Sequence, residues 1–250
     1  MKDLVLSKRM EAVVNMISPQ SFTVADVGCD HAYISIALIK RCLASQVIAM
    51  DVRRGPLEIA KRNVKAYAME EKIELRLSDG LDKLDIGEAD TIIIAGMGGL
   101  LIKSILEKGE SILADANKPP ALILQPQSDI REVRIFLYAQ AYHIVQETML
   151  EEEGKYYTVL KAMPGKKDGC FSDAEWLYGK YNLEGRCAVL QTYLQKENRV
   201  LENILAGLQQ TIEKAGESGN FVSEKTLERM DSVKKEIAIN LSAMEYYKNT

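Results

Sequence analysis

The chain has 250 residues, 47% hydrophobic content and a net charge of −4, which allows one large domain or two smaller ones. No apolar run reaches membrane length, and the charged, amphipathic start does not match a signal peptide, so we expect neither membrane contact nor export. Four cysteines without CxxC spacing and only two histidines predict reduced thiols in a cytoplasmic protein and no metal site, while the acidic balance neither indicates nor excludes nucleic-acid binding.

The first predicted element is a helix over residues 4–17, because apolar side chains recur at helical spacing from Leu6 to Ile17. Lys8 and Arg9 lie on this helix. They can form a solvated face or contact a substrate, and the spacing alone favours neither.

A strand, a glycine turn and a helix follow in residues 22–33, which is the opening of a nucleotide-binding βαβ unit. The strand is predicted over residues 23–27 and contains Asp26, the turn contains Gly28 and Asp30, and the helix is predicted over residues 33–41, beginning at Tyr33. A dinucleotide site has three glycines so that backbone can meet a pyrophosphate, and only the first of those positions is glycine here. Two acids suit a ligand with a cationic or hydrogen-bond-donating end, such as S-adenosylmethionine. A turn without a ligand is the alternative.

The second strand is predicted over residues 46–52 and contains Asp51, about 25 residues after Asp26, which is near the spacing of a ribose-binding acid. Two carboxylate oxygens match the two donors of a vicinal diol. A simple strand-end acid is the alternative. Residues 53–56 form the predicted turn, and its proline suits the first position of a helix over residues 57–69 that is basic on one side.

The third predicted strand, residues 73–77, is followed by Asp79 and Gly80. An acid that lies beside an adenine can accept a hydrogen bond from its exocyclic amine. The fourth strand, residues 90–95, is the most apolar run of the chain, as expected of a parallel strand that is buried on both faces.

The fourth strand leads into a glycine-rich segment that runs from Ala95 and Gly96 through Met97 to Gly99. Three glycines in four residues indicate that the backbone approaches another group closely. A helix is predicted over residues 100–115. The fifth strand is predicted over residues 121–125 and ends in Gln125, which places another polar side chain at a strand end.

The helix after the fifth strand carries Arg131 and Arg134, and residues 142–150 and 155–163 follow as an antiparallel pair of strands. Strands and helices thus alternate five times before this hairpin. The alternation predicts an α/β fold, a Rossmann-like, doubly wound and mostly parallel sheet with an antiparallel edge. Ligands of such sheets bind at the carboxyl ends of the strands, where the acids and glycines lie.

The composition changes after Met163. Residues 164–169 have the proline, glycine and charge content of a linker. Two stretches with apolar residues every seven positions follow, separated by residues 216–220, and the short loop predicts an antiparallel coiled-coil hairpin. We therefore expect a domain of residues 1–164 followed by a helical hairpin domain of residues 165–250.

Several motifs resemble those of the bacterial tRNA (adenine-22-N1) methyltransferases, a family with the class I S-adenosylmethionine-dependent fold. The resemblance covers the first domain, and its specific part is the combination of Asp-His-Ala-Tyr at residues 30–33 with Ala-Gly-Met-Gly-Gly at residues 95–99. The other matching segments are residues 6–9, 26–29, 55–56, 79–81, 124–126, 150–152 and 154–155. The family also ends in a coiled-coil pair, which agrees with the predicted hairpin.

Two positions depart from the family's pattern. Gln127 stands where the family favours Asn, so the reach of that amide differs by one methylene. Asp51 stands where relatives favour Glu, and it still supplies a carboxylate for the ribose.

The resemblance implies methyl transfer from S-adenosylmethionine to N1 of adenine 22 in tRNA. The base side of the site is then expected to contain the catalytic candidates Asp30, Met97 and Gln125. The cofactor is expected to contact Asp26, Gly28, Asp30, His31, Asp51, Asp79, Gly80, Ala95 and Gly96. The RNA is expected to contact Lys8, Arg9, Tyr33, Arg53, Arg54 and Arg131.

Alternatives remain at several of these positions. His31 can be a packed turn histidine and Tyr33 can pack at a helix start. Each basic pair can be a solvated face, including the further candidates Lys61, Arg62, Arg134, Lys166 and Lys167. The hairpin can clamp tRNA, mediate dimerisation or act as a rigid spacing element, so a monomer and a weak homodimer are both open.

Two rival functions also remain. One is a methyltransferase that acts on another RNA or on a small molecule. The other is a module that binds cofactor or RNA without turnover, although the joint presence of Asp26, Gly28, Asp51 and Asp79 argues against it.

Overall fold

The computed structural model describes residues 4–18, 21–115, 117–165, 169–217 and 221–248. It divides into two compact units, Met1–Gly169 and Cys170–Thr250. The strands of the first unit are β1 Ser21–Val27, β2 Ala44–Asp51, β3 Ile73–Leu77, β4 Thr91–Met97, β5 Ala121–Pro126, β6 Tyr142–Glu152 and β7 Lys155–Pro164. Its helices are α1 Lys8–Val14, α2 Tyr33–Lys40, α3 Arg54–Ala66, α4 Gly99–Lys108, α5 Glu110–Leu113 and α6 Ile130–Ala139.

The seven strands form one sheet in the order β3-β2-β1-β4-β5-β7-β6. Strands β1 to β5 are parallel to one another, whereas β7 is antiparallel to both β5 and β6. The predicted fold class, a doubly wound and mostly parallel sheet with an antiparallel edge, is therefore confirmed. The strand order reverses between β1 and β4, which is where such sheets bind ligands.

Alternation of side chains along the central strands supplies a core on each face of the sheet. Ile92 and Ile94 of β4 pack with α4 and α6, while Ile93 points to the opposite core with α1, α2 and α3. All three isoleucines are fully buried. A strand that is covered on both faces by helices explains the uninterrupted apolar run in the sequence.

Several helix boundaries differ from the sequence-based prediction. Helix α1 begins at Lys8 because the Ser7 hydroxyl caps it by accepting from the Met10 amide at 3.3 Å. Helix α3 begins at Arg54, so its proline lies in the first turn rather than at the first position. The predicted helix over residues 100–115 is divided at Gly109, where an added Cβ would overlap the Leu81 side chain.

The second unit contains α7 Asp173–Tyr178, α8 Lys180–Glu184, α9 Ala188–Glu217 and α10 Glu224–Glu245. Helices α9 and α10 run antiparallel, since Asn240 Nδ2 donates to the Leu194 carbonyl at 3.1 Å and Tyr247 Oη donates to the Cys187 carbonyl at 3.1 Å. The coiled-coil form of this pair and the domain boundary at residue 164 stay predictions. The loop expected over residues 216–220 lies partly outside the described residues.

The contact between α9 and α10 includes a polar group that the heptad pattern did not indicate. Asn240 is fully buried, and its amide also donates to Glu197 Oε2 at 2.9 Å. Tyr178 and Tyr193 donate to the same Glu197 carboxylate. None of the described helices in either unit combines the length and apolar character needed to cross a membrane.

Candidate active site

A cavity of about 480 Å³ lies at the carboxyl ends of β1 to β5, within the size range of small-molecule sites. Its lining contains every predicted catalytic and cofactor-binding residue, namely Asp26, Gly28, Asp30, His31, Asp51, Asp79, Gly80, Ala95, Gly96, Met97 and Gln125. Of the predicted RNA-binding residues, Arg9, Tyr33 and Arg53 line it as well, whereas Lys8, Arg54 and Arg131 do not. Five separate strand ends therefore contribute to one cavity.

The acid at the end of β1 is turned towards helix α2. Asp26 is 2% exposed, and the Ser35 hydroxyl donates to its Oδ2 at 2.6 Å. Burial raises the pKa of Asp26 to about 6, an effect that the hydrogen bonds from Ser35 partly oppose. Asp26 therefore borders the cavity as a buried carboxylic acid that is hydrogen-bonded to Ser35.

The turn after Asp26 presents its second acid to solvent. Asp30 and Ala32 have φ of 49° and 59°, so this turn contains two non-glycine residues in the left-handed region. The Asp30 side chain is 57% exposed, and one of its oxygens lies 3.7 Å from His31 Nε2. The turn is anchored from α3, because Asn63 Nδ2 donates to the His31 carbonyl at 3.0 Å.

The acid at the end of β2 joins two turns. Asp51 is 5% exposed, and its two oxygens accept from the Asp30 amide at 3.2 Å and from the Arg53 amide at 2.9 Å. Each carboxylate oxygen keeps a second acceptor position. Asp51 can therefore hold the β1–α2 turn and accept from a ligand at the same time.

The end of β3 contributes one buried and one exposed residue. Ser78 is 4% exposed and its amide donates to the Asp51 carbonyl at 3.0 Å, which fixes this segment beside β2. Asp79 is exposed, and its carboxylate lies 3.6 Å from Lys108 Nζ. The Asp79 carboxylate therefore sits at the rim of the cavity with a lysine beside it.

Gly96 forms a bulge at the end of β4. Ala95 pairs with Gln125 and Met97 pairs with Pro126, so Gly96 is the extra residue, and its φ is 79°. The fully buried side chain of Gln125 accepts from the Gly96 amide at 3.1 Å. Gln125 therefore shapes the bulge that faces the cavity.

The glycines around this bulge are required for different structural reasons. A Cβ on Gly99 would overlap the carbonyl oxygen of Ser128, so this glycine is required by the β5–α6 turn and not by a ligand. A Cβ on Gly28 would overlap Met97 Cε, so the Met97 side chain packs directly over the β1–α2 turn. A Cβ on Gly96 would meet no atom closer than Gln127 Nε2 at 3.8 Å. The close approach predicted for the glycine-rich segment is therefore mainly an internal contact.

The predicted basic residues occupy different environments. The Arg9 guanidinium lies 5.2 Å from the centre of the Tyr157 ring at the cavity wall. Arg53 and Arg54 are exposed at the start of α3, and Arg131 is exposed, with its guanidinium 3.6 Å from the Glu132 carboxylate. The Lys8 amide donates to Glu152 at 2.6 Å, and its side chain is exposed.

One basic candidate is contradicted by the structure. The Arg134 side chain is only 3% exposed and pairs with the buried Glu147 at 2.8 Å, so it is not available to a phosphate. Lys166 and Lys167 lie outside the described residues.

Within the described ranges, no cluster of three or more His, Cys, Asp or Glu side chains is arranged to hold a metal ion.

Several residues that build the site had no signal in the sequence. Ser35, Asn63 and Ser78 support the turns through hydrogen bonds to residues that are distant in the chain or on another element. Serine and asparagine are common residues, and no local sequence pattern marks these three as supports of the site. Their role is visible only from their contacts in the folded structure.

Comparison with known proteins agrees with this geometry. Residues 6–160 match a family described as "Methyltransferase domain". The tRNA (adenine(22)-N(1))-methyltransferase of Bacillus subtilis is 36% identical over 242 residues, which cover 95% of this chain and 99% of the relative. A crystal structure of the B. subtilis m1A22 tRNA methyltransferase superposes with a TM-score of 0.83 at 32% identity, covering 97% of this chain and 100% of that chain. A structure of Streptococcus pneumoniae Sp1610 in complex with S-adenosyl-L-methionine superposes with a TM-score of 0.80 at 32% identity, covering 96% and 100%.

The doubly wound sheet, the strand-end cavity and the matched domain define a methyltransferase of the Rossmann-like class. The similarity to the B. subtilis relative extends over both units of the structure. The chain belongs to the tRNA (adenine(22)-N(1))-methyltransferase family.

Proposed function

We propose that this chain transfers a methyl group from S-adenosylmethionine to N1 of adenine 22 in tRNA. The observation that carries the proposal is the convergence of five strand ends on one cavity, in a chain that aligns over 95% of its length with a relative of that activity. The acids, the glycine bulge and the amides of this cavity match the groups of a nucleoside cofactor and a purine.

The residues of the cavity fit S-adenosylmethionine. Asp51 has a free acceptor position on each oxygen for the ribose hydroxyls, and the rim residue Asp79 can accept from the exocyclic amine of the adenine. Asp30 faces solvent beside Gly28 and can accept from the amino group of the methionine end. When bound, the cofactor supplies a methyl group on a sulfonium to the ring nitrogen of the target adenine.

The base side of the site is assigned to Met97, Tyr33 and Arg9. Met97 packs against Gly28, and Tyr33 and Arg9 line the cavity from α2 and α1. Gln125 acts as a positioning residue, because its buried amide holds the Gly96 bulge.

The chemistry requires little acid–base assistance. Neutral adenine has an in-plane lone pair on N1, so no side chain has to remove a proton before methylation. The product carries a positive charge, which the nearby Asp30 carboxylate stabilises. Orientation and desolvation then supply most of the rate enhancement, for which effective molarities correspond to roughly 7–11 kcal/mol.

A base in a paired stem has to be turned out before its Watson–Crick edge can be reached, at a cost of a few kcal/mol. The exposed or partly exposed cations Lys8, Arg9, Arg53, Arg54 and Arg131 are the proposed phosphate contacts that offset this cost. The same proposal includes a cytoplasmic location, where tRNA is found, and a monomer or weak homodimer.

The direct test is incubation of the protein with unmodified tRNA and labelled S-adenosylmethionine, followed by nucleoside mapping. We expect 1-methyladenosine at position 22, and no label in a transcript with guanine at that position. Label in another nucleotide or in small molecules would indicate the rival methyltransferase functions, and cofactor binding without any transfer would indicate a non-turnover module.

A second test addresses the phosphate contacts. Changing Arg53 and Arg54 to Glu is expected to weaken tRNA binding and to flatten its dependence on salt, because fewer counterions are released. Changing the exposed Lys72 and Lys83 to Glu alters the net charge equally, and neither residue lines the cavity. If both double variants lower the salt slope to the same extent, Arg53 and Arg54 are part of a solvated face.

A further inference from the structure

The two glutamines that flank Pro126 differ in their environments. Gln125 is fully buried, and its side chain is committed to the protein through the Gly96 amide at 3.1 Å and the Pro126 carbonyl at 3.3 Å. Gln127 is exposed, and its side chain lines the same cavity. In the part of the chain that the structure describes, the Gln127 carboxamide has no hydrogen-bond partner. The amide available to a ligand is therefore that of Gln127.

The backbone holds Gln127 in a defined place. The Gln127 amide donates to the Met97 carbonyl at 2.8 Å, which extends the pairing of β4 with β5 past the bulge. A Cβ on Gly96 would lie 3.8 Å from Gln127 Nε2, so the side chain runs along the open face of this glycine. A carboxamide with both a donor and an acceptor is thus presented next to Met97, at the base side of the cavity.

A carboxamide recognises adenine without using N1. Glutamine and asparagine form two hydrogen bonds with adenine by accepting from the N6 amine and donating to N7. N1 lies on the other side of the N6 amine and keeps its lone pair in that arrangement. A residue that bound N1 itself would block the atom that has to receive the methyl group.

We propose that Gln127 determines the specificity of the site for adenine by pairing with N6 and N7 of the target base while N1 stays free. The inference rests on the proposed function and identifies the residue that recognises the target base. Guanine presents acceptors at both O6 and N7, so the carboxamide oxygen of Gln127 has no donor to accept from. The same pairing therefore rejects guanine.

The test is a cycle with one change in the enzyme and one in the substrate. Wild type and Gln127→Ala are compared on tRNA with adenosine or 7-deazaadenosine at position 22, since the second base lacks the N7 acceptor. We expect wild type to lose on the order of tenfold in kcat/KM on the deaza substrate, and Gln127→Ala to lose a similar factor on adenosine. Gln127→Ala should show no such discrimination between the two substrates. Differences in the intrinsic reactivity of N1 cancel, because both enzymes meet the same two bases.

Two controls separate base reading from a structural effect. Gln140→Ala removes an exposed glutamine that does not line the cavity, and it should retain the wild-type preference for adenosine. Gln127→Asn keeps the carboxamide on a shorter side chain and should retain part of the preference. The affinity for S-adenosylmethionine, measured by calorimetry, should be unchanged in both Gln127 variants.

The outcomes are distinguishable from those for the proposed function. If wild type methylates adenosine and the effects of the two changes are additive, Gln127 does not pair with N7 and this inference is overturned. If wild type forms no 1-methyladenosine on any tRNA, the proposed function fails and the inference fails with it.

Discussion

The turn after β1 and the turn after β4 face the same cavity and differ in what supports their second halves. In the β1–α2 turn, the Gly28 and Cys29 amides donate to the Met50 carbonyl. Beyond them side chains support the turn, because Asp51 accepts from the Asp30 amide and Asn63 donates to the His31 carbonyl. In the β4–α4 turn, the Gln125 side chain accepts from the Gly96 amide. Beyond Met97 backbone lies against backbone, and the Gly99 amide donates to the Ser128 carbonyl at 3.1 Å.

This difference explains the glycine content of each turn. Backbone-to-backbone packing leaves no room for a Cβ at Gly99, so internal packing, and not a ligand, requires this glycine. Side-chain support lets the β1–α2 turn carry Asp30 and His31, which can then face a ligand. A glycine-rich strand end is thus a weaker indication of a ligand contact than a glycine-poor one that carries acids.

The largest expected effect comes from Gly99→Ala. The added methyl would overlap the Ser128 carbonyl oxygen, and overpacking of this kind costs about 1–3 kcal/mol of unfolding free energy, occasionally more. Denaturant unfolding measures the loss. Gly207→Ala, in the middle of α9 with nothing within 4 Å, should instead gain about 0.5–1 kcal/mol. Equal stability of Gly99→Ala and wild type would contradict the proposed packing of this turn.

The next effect concerns Asp51→Ala. The change removes the proposed ribose acceptor and leaves the Asp30 and Arg53 amides without their acceptor, so we expect S-adenosylmethionine affinity to fall on the order of 10- to 100-fold by calorimetry. Asp51→Glu keeps a carboxylate and should retain more of the affinity. An unchanged dissociation constant for Asp51→Ala would remove this residue from the ribose role.

Asp26→Asn is expected to change how stability depends on pH. Burial raises the pKa of Asp26 from 3.8 to about 6, so the unfolded state loses its proton first as pH rises. Wild type should therefore lose on the order of 2 kcal/mol of unfolding free energy between pH 4 and about pH 6 through this group, and little more above that. Asp26→Asn should lack this decline.

Denaturant unfolding at several pH values measures the Asp26 effect. Ser35→Ala removes a hydrogen bond to the ionised carboxylate and should widen the pH range of the decline. A difference between wild type and Asp26→Asn that is constant from pH 4 to pH 7 would show that Asp26 does not titrate in this way.

The smallest expected effect is that of Asn63→Ala. Loss of one hydrogen bond to the His31 carbonyl should cost about 1 kcal/mol and should speed amide exchange in residues 30–33. Arg62→Ala, an exposed neighbour on α3, should change stability by less than about 0.5 kcal/mol. Unaltered exchange in the turn would mean that the Asn63 hydrogen bond does not contribute to holding it.

Much of the first unit could be predicted from the sequence. The strand at residues 73–77 was predicted at its observed limits, and the others agree within two residues at most ends, because period and composition are local properties. Helix ends were less accurate, since the start of α1 depends on one hydrogen bond to the Ser7 hydroxyl. On α10, the fully buried Asn240 was missed because an apolar heptad pattern does not register a polar residue.

The sequence by itself determined which strand ends carry acids, glycines and amides, because parallel strands that alternate with helices bring all carboxyl ends to one edge. The tertiary structure decided how each of those residues is used. It turned Arg134 inward to Glu147, placed Gly99 against the β5–α6 turn, and buried Gln125 while leaving Gln127 open to the cavity. Those assignments depend on neighbours that are remote in the chain, and no local pattern contains them.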